Sequence, residues 1–199
     1  MKKLIISGSP GTGKTTISKY ISDILKNTHL LSLNDIVIKK KFTLSYDKDR
    51  DTHVADFEKL LPYVNKKIKN LEKRSFKYLI IEGHFADIIP SKFIDYIFIL
   101  RCHPDILKER LNEREYSEKK IYENLQAEIL GNCTNFLLEK ELNKPIYELD
   151  TTTKSPKDSA KIIIRIIKNQ IDTKKYKVGK INWMEDLSKE NRLIEFFEY

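Results

Sequence analysis

The sequence predicts an α/β fold, a five-stranded parallel sheet with helices on both faces, and three observations carry that expectation. Short apolar runs alternate with stretches of helical periodicity. The first run leads directly into Gly8-Ser-Pro-Gly-Thr-Gly-Lys14-Thr15, which fills every required position of the GxxxxGK[ST] phosphate-binding loop. A later run ends on a carboxylate, Glu82, at the strand edge where such sheets meet their ligands.

Taken in order, Lys3-Leu-Ile-Ile-Ser7 is short and apolar enough for a buried strand, and from Thr16 to Leu25 the residues Ile17, Ile21, Ile24 and Leu25 recur at helical spacing. Strand, glycine-rich loop and helix form the context in which the loop motif has meaning. A second strand is expected over His29–Leu33, with Asn34 or Asp35 capping the helix after it. Residues 34–74 lack continuous apolar runs and carry Lys39-Lys-Lys41 and the mixed-charge stretch Asp47 to Asp51. Their second half, from Val54 to Leu71, places Phe57, Leu60, Leu61, Val64, Ile68 and Leu71 at helical spacing, which predicts a small helical insertion.

Lys77–Glu82 and Tyr96–Leu100 are the third and fourth strands, and a helix from about Asp105 follows Arg101-Cys-His-Pro104. On that helix Arg110 and Arg114 lie four apart and are expected to share one face. A long helical stretch, Glu118 to about Leu142, has Ile121, Leu125, Ile129, Phe136, Leu137 and Leu138 as its apolar stripe, with Gly131 as a point of interruption. Ile146–Leu149 is the fifth strand. Ser155 as cap and Pro156 at the first helical position announce the closing helix, expected over Ala160–Ile171. The tail beyond it is basic from Lys174 to Lys180, then carries Trp183, Leu187, Leu193, Phe196 and Phe197, which are costly to leave in water and predict packing on the core.

The 199 residues, 40% of them hydrophobic, suit one core with a small insertion. No apolar run approaches the ~20 residues of a membrane span and no signal-peptide core is visible, so a cytoplasmic (or, in a eukaryote, nuclear) protein with no membrane partner is expected. Two cysteines, Cys102 and Cys133, exclude a disulfide framework and a four-cysteine zinc site. The net charge of +8 attracts nucleotides or RNA, but a lysine-rich solvated surface gives the same total, so charge leaves nucleic-acid contact open.

The chemistry follows from the residue types. Loop N–H groups and a helix N-terminus cradle polyphosphate, Lys14 reaches the β and γ phosphates, and the Thr15 hydroxyl binds Mg²⁺. Glu82 is placed to hold the metal's water shell or to orient a nucleophile, and the Arg110–Arg114 pair to neutralise charge on transferred phosphoryl oxygens. Arg101, at the end of the fourth strand, is expected beside them.

The phosphate loop, Ile81-Glu-Gly-His84, and above all the run from Leu107 to Lys120 with Asn124-Leu-Gln-Ala-Glu-Ile129 resemble the adenylate kinase isoenzyme 6 family, over roughly Lys3 to Ile171. These are nuclear and archaeal adenylate kinases that also act as ATPases in small ribosomal subunit maturation. The resemblance implies a P-loop NTPase of the nucleoside monophosphate kinase type with strand order 2-3-1-4-5. It assigns residues 1–172 to the kinase domain, with an acceptor-nucleotide segment at 34–54, a short lid at 113–123 and a C-terminal extension at 173–199. Gly11, Gly13, Lys14, Thr15 and Thr16 match the ATP-phosphate positions. Arg114 matches the lid arginine, Lys154 a lysine near the adenine, and Glu82 and His84 an acid-x-His motif. There the family usually has aspartate. An arginine often found early in the acceptor helix falls near Ile38, with Lys39 beside it, and a lysine cannot form the planar fork to a phosphate.

Three activities are therefore open. One is a kinase for ATP + AMP = 2 ADP with Mg²⁺. Another is an ATPase assembly factor that binds the small-subunit ribosomal protein uS11 and rRNA. The third is another small-molecule kinase of the same fold, for shikimate, a nucleoside or dephospho-coenzyme A; the acceptor segment has Arg50 as its only arginine before Arg74 and so no obvious carboxylate-binding cluster.

Overall fold

The computed structural model describes residues 1–48 and 52–197. Arg50, with its neighbours at 49 and 51 in the mixed-charge stretch, lies outside the described residues. Five strands make the parallel sheet: β1 (Lys2–Ser7), β2 (Thr28–Ser32), β5 (Tyr78–Glu82), β6 (Tyr96–Arg101) and β7 (Ile146–Asp150). Two further strands, β3 (Thr43–Asp47) and β4 (Thr52–Ala55), pair antiparallel as a separate hairpin. The sheet order is β2-β5-β1-β6-β7. Counted over the five parallel strands alone this is 2-3-1-4-5; the numbering shifts because the hairpin interrupts the chain.

Alternation along β1 divides the core. Leu4 and Ile6 face α1 (Lys14–Ile24) and α7 (Pro156–Ile167), packing with Ile17, Ile21, Ile163 and Ile167. Ile5 faces the other way, toward Leu60, Val64 and Ile68 of α3 (Phe57–Glu72) and Leu137 of α6 (Asn132–Glu139). Strands buried on both faces explain the unbroken apolar runs. A third cluster joins Leu107 and Leu111 of α4 (Pro104–Asn112) to Ile121, Leu125 and Ile129 of α5 (Glu118–Ile129) and to Trp183, Leu187 and Phe196 near the C-terminus.

Several local expectations need correction. The insertion is not purely helical: α2 (Leu33–Lys40) and α3 flank the hairpin, and Ser32 caps α2 by accepting from the Asp35 N–H at 3.3 Å, so Asn34 and Asp35 lie inside the helix. Phe57, expected on the buried stripe of α3, is exposed. The stretch after residue 118 is two helices, α5 and α6, parted at the expected point of interruption, Gly131. Gly131, at φ +67°, takes the left-handed conformation that favours glycine and turns the chain. Only Leu137 of the three expected core residues in α6 is buried; Phe136 and Leu138 are exposed. The closing helix starts at Pro156 under a Ser155 cap, four residues before the expected start, and ends at Ile167.

The C-terminal segment packs against α4 and α5 through α8 (Trp183–Lys189) and α9 (Ile194–Phe197). Arg192 makes a two-bond contact to Asp105 at 3.0 and 2.8 Å, and Gln126 of α5 donates to the Phe196 carbonyl. Among the described residues no helix is long and apolar enough to cross a membrane.

Candidate nucleotide site

The loop from Gly8 to Thr15 leaves the carboxyl end of β1, the central strand, and enters α1. Gly8 has no room for a side chain: at φ +141°, a Cβ there would stand 2.4 Å from the Leu100 carbonyl of β6. The loop curls on itself, and Lys14, itself buried, donates to the Gly8 and Ser9 carbonyls at 2.7 and 3.0 Å. Burial, then the nearby Arg114, lower its ammonium from the usual lysine value, opposed by Cys133, Glu82 and Glu128. Thr15 donates through Oγ1 to Glu82 Oε1 at 3.3 Å, across from β1 to the end of β5. Parallel pairing in register, Ile6 beside Glu82, fixes that approach.

His84 lies two residues beyond. It opens onto the cavity, yet the enclosing protein, and next the Lys14 ammonium, push its imidazole down to about 4. At neutral pH it is an uncharged donor and acceptor. The edge of its ring meets Phe85 at 4.6 Å between centroids.

These groups line one cavity of about 930 Å³. Its floor is Pro10, Gly11, Gly13, Lys14, Thr15 and Thr16, with Glu82 and His84 beside them. One wall is Asn34, Val37 and Ile38 of α2, then Tyr46 and residues 52–55 of the hairpin. The opposite wall is Arg114, Tyr116, Lys120, Glu123 and Asn124. Lys120 stands over the Tyr116 ring at 4.5 Å, so that wall carries two cations, Arg114 and Lys120.

Three other sequence candidates are not brought here. Helix α4 ends at Asn112, so Arg110 and Arg114 do not share a helical face. Arg110 turns to the loop after β7, donating to the Thr151 and Thr152 carbonyls at 2.8 and 3.1 Å. Lys154 is exposed on that same loop and does not line the cavity. Arg101, although on the strand end, is buried between Glu128 and Glu148, at 2.8 and 2.9 Å. Its charge is consumed there. Both cysteine thiols are pushed up by burial, Cys102 to about 11, so neither is a nucleophile at neutral pH.

Tyr46, His53 and Lys120 of the expected acceptor segment and lid, and Asn124 beyond the lid, line the cavity although none was singled out from the sequence. Lys120 and Asn124, four apart on α5, were within reach of helical spacing; the hairpin residues carried no periodic signal. Thr15 and Glu82 supply a hydroxyl and a carboxylate, hard oxygen donors that fit Mg²⁺ when phosphate and water complete its shell. No cluster of three or more His, Cys, Asp or Glu side chains that could hold a metal ion occurs among the described residues.

The family described as an AAA domain matches residues 4–131. A Methanocaldococcus jannaschii protein named "Putative adenylate kinase" is 39% identical over 183 residues, covering 92% of this chain and 93% of that one. A protein of the same name from Methanococcus maripaludis is 34% identical, covering 92% and 96%. Among solved structures, a shikimate kinase from Acinetobacter baumannii in complex with shikimate superposes with a TM-score of 0.58 at 14% identity, covering 86% of this chain and 96% of that one. A deoxyadenosine kinase from M. mycoides with bound dATP gives 0.54 at 16% identity, covering 83% and 99%. At those identities the two structures share the fold alone.

Proposed function

We propose that this chain, which belongs to the AAA-domain family of the archaeal proteins named above, transfers the γ-phosphoryl group of ATP to AMP, ATP + AMP = 2 ADP. One observation carries the reading: a phosphate loop and a second, nucleotide-sized wall share a single cavity of about 930 Å³, at the upper end of ligand pockets (~300–1,000 Å³). Two nucleotides meeting at their phosphates need that arrangement.

In this reading the loop N–H groups hold the ATP phosphates, and Lys14 moves its ammonium from the Gly8 and Ser9 carbonyls to them. Thr15 and Glu82 would hold Mg²⁺, Glu82 partly through water, and the ion would supply positive charge against the phosphate oxygens. The catalytic work of the chain is positioning and charge neutralisation, since phosphoryl transfer through a loose transition state needs little covalent help. Arg114, from the far wall, neutralises the transferred group. His84, held neutral, orients the acceptor phosphate or an attacking water without adding charge. Arg110 fixes the loop carrying Lys154, which approaches the adenine when the nucleotide binds.

Within this reading, the likeness of Ile81 to His84, Leu107 to Lys120 and Asn124 to Ile129 to the isoenzyme 6 type of adenylate kinase supports a more particular role. A second output then follows: ATP hydrolysis in small ribosomal subunit maturation, with uS11 and rRNA as partners. It is favoured by one feature, that no arginine lines the acceptor wall among the described residues. Turnover of ATP with Mg²⁺, with and without AMP, tests both. AMP-dependent ADP formation that falls about a hundred- to thousandfold in Lys14→Ala supports the kinase; hydrolysis indifferent to AMP would sink it and favour the ATPase.

A further inference from the structure

Behind the phosphate loop lies a buried polar network that the proposed reaction does not use. Glu128, at the end of α5, is 1% exposed, and its carboxylate accepts four hydrogen bonds. Oε2 accepts from the Ser9 hydroxyl at 2.7 Å. Oε1 accepts from Arg101 Nε at 2.8 Å, the Cys102 N–H at 3.1 Å and Trp183 Nε1 at 3.2 Å. Glu148 of β7, also buried, accepts from Arg101 and from Thr134 at 2.9 and 3.0 Å, and its other oxygen accepts from the Gly179 N–H at 2.9 Å. One guanidinium thus faces two carboxylates, and the C-terminal segment completes both shells.

The geometry points to the C-terminal segment as a positioning element of the nucleotide site: Trp183 and Gly179 fix the Glu128–Arg101–Glu148 network, and Glu128 in turn fixes Ser9 of the phosphate loop. Ser9 joins the network to the phosphate loop. Its hydroxyl is held by Glu128, while its carbonyl accepts from Lys14 and from Thr12. The loop's resting shape, with Lys14 held on the Ser9 carbonyl, is therefore tied to Trp183 near the other end of the chain. Preorganising a binding loop raises affinity by removing an ordering cost at the moment of binding. The Ser9 and Trp183 bonds both end on the Glu128 carboxylate, so removing the Trp183 donor loosens the orientation of the whole group, its bond to Ser9 included.

The inference rests on ATP binding at the phosphate loop and is tested without an acceptor. ATP affinity is measured by calorimetry for the full chain, for Trp183→Phe, which keeps the ring in its apolar cluster and removes the N–H, for Ser9→Ala, and for the double variant. Each single change is expected to weaken ATP binding about five- to tenfold, the scale of one ordinary hydrogen bond, since only part of the loss at Glu128 is passed on to the phosphate loop. The double variant is expected to bind no worse than Ser9→Ala, because the path from Trp183 has already been cut. Wild-type affinity in either single variant, or two factors that multiply in the double, would overturn the proposal, since packing loss alone gives independent effects. If Trp183→Phe does not fold, Trp183 itself reports: it is the only tryptophan in the chain. ATP should then change its emission in the wild type and not in Ser9→Ala; no change, or the same change in both, overturns the coupling. A chain that binds ATP but leaves AMP unphosphorylated sinks the kinase reading and leaves this one standing.

Discussion

The two walls of the cavity are built by opposite means. Around the phosphate loop polar groups rest on one another: Lys14 on loop carbonyls, Thr15 on Glu82, Ser9 on Glu128, Arg101 on two carboxylates. The wall proposed for the acceptor is α2 and the separate two-stranded hairpin, where Ile38 is 66%, Leu44 69% and Val54 41% exposed. The first wall is preorganised, with its desolvation cost already met on folding. The second is a wet apolar surface that gains contacts only when something sits against it. A transferase needs both, a fixed place for charge and a wall that closes on the acceptor.

Breaking the rigid wall should have the largest effect. Arg101→Met removes the one cation between Glu128 and Glu148, leaving two carboxylates buried and unpaired. The expected loss is about 3–5 kcal/mol of folding stability, read as a drop in the urea midpoint with an unchanged slope. Stability within about 0.5 kcal/mol of wild type, the range of a surface change, would mean that the network is not the rigid frame described here.

The same contrast decides what could be read from the sequence. The phosphate loop was legible because its backbone path admits few residue types, Gly8 against the Leu100 carbonyl being the case in point. The sheet was legible because both of its faces are buried, so that each strand reads as an apolar run. The hairpin was not. Leu44 and Tyr46 alternate as a strand should, but both are exposed, and a strand with no buried face shows no contrast against its polar neighbours. The break at Gly131 was marked by a residue that also occurs harmlessly in helices. Glu128 lay in plain view on a motif, but its partners Ser9, Arg101 and Trp183 come from three distant parts of the chain, and no spacing rule joins them. Arg110 and Arg114 failed for a local reason: helix α4 ended two residues too soon.

On the acceptor wall the effect should fall on binding alone. Tyr46, whose ring lies 5.0 Å from that of His53, is half out of the protein at 48% exposure. Tyr46→Ala is expected to raise the KM for AMP several-fold, in keeping with a lost aromatic contact of about 1 kcal/mol. The KM for ATP and the melting temperature should stay close to wild type. A matching loss of stability would place the hairpin with the rigid wall and erase the distinction.

The smallest effect lies where the walls meet, at His84. Its imidazole is pushed down to about 4 in the folded chain by enclosure first and Lys14 second, whereas an unfolded histidine titrates near 6.5. Between those values the unfolded chain binds a proton that the folded chain refuses, so stability falls as pH drops through that window and is unaffected above it. Because the ring opens onto the cavity, solvent screens part of this, and the slope should be shallow. Melting temperatures of wild type and His84→Asn, followed from pH 7.5 to 4, should run parallel above about 6.5. Below it the wild type should fall faster, since asparagine has nothing to titrate. Parallel curves through the whole range would mean that His84 is free to take a proton in the folded chain. A cation would then stand beside Lys14, and the neutral orienting role assigned to this residue would be lost.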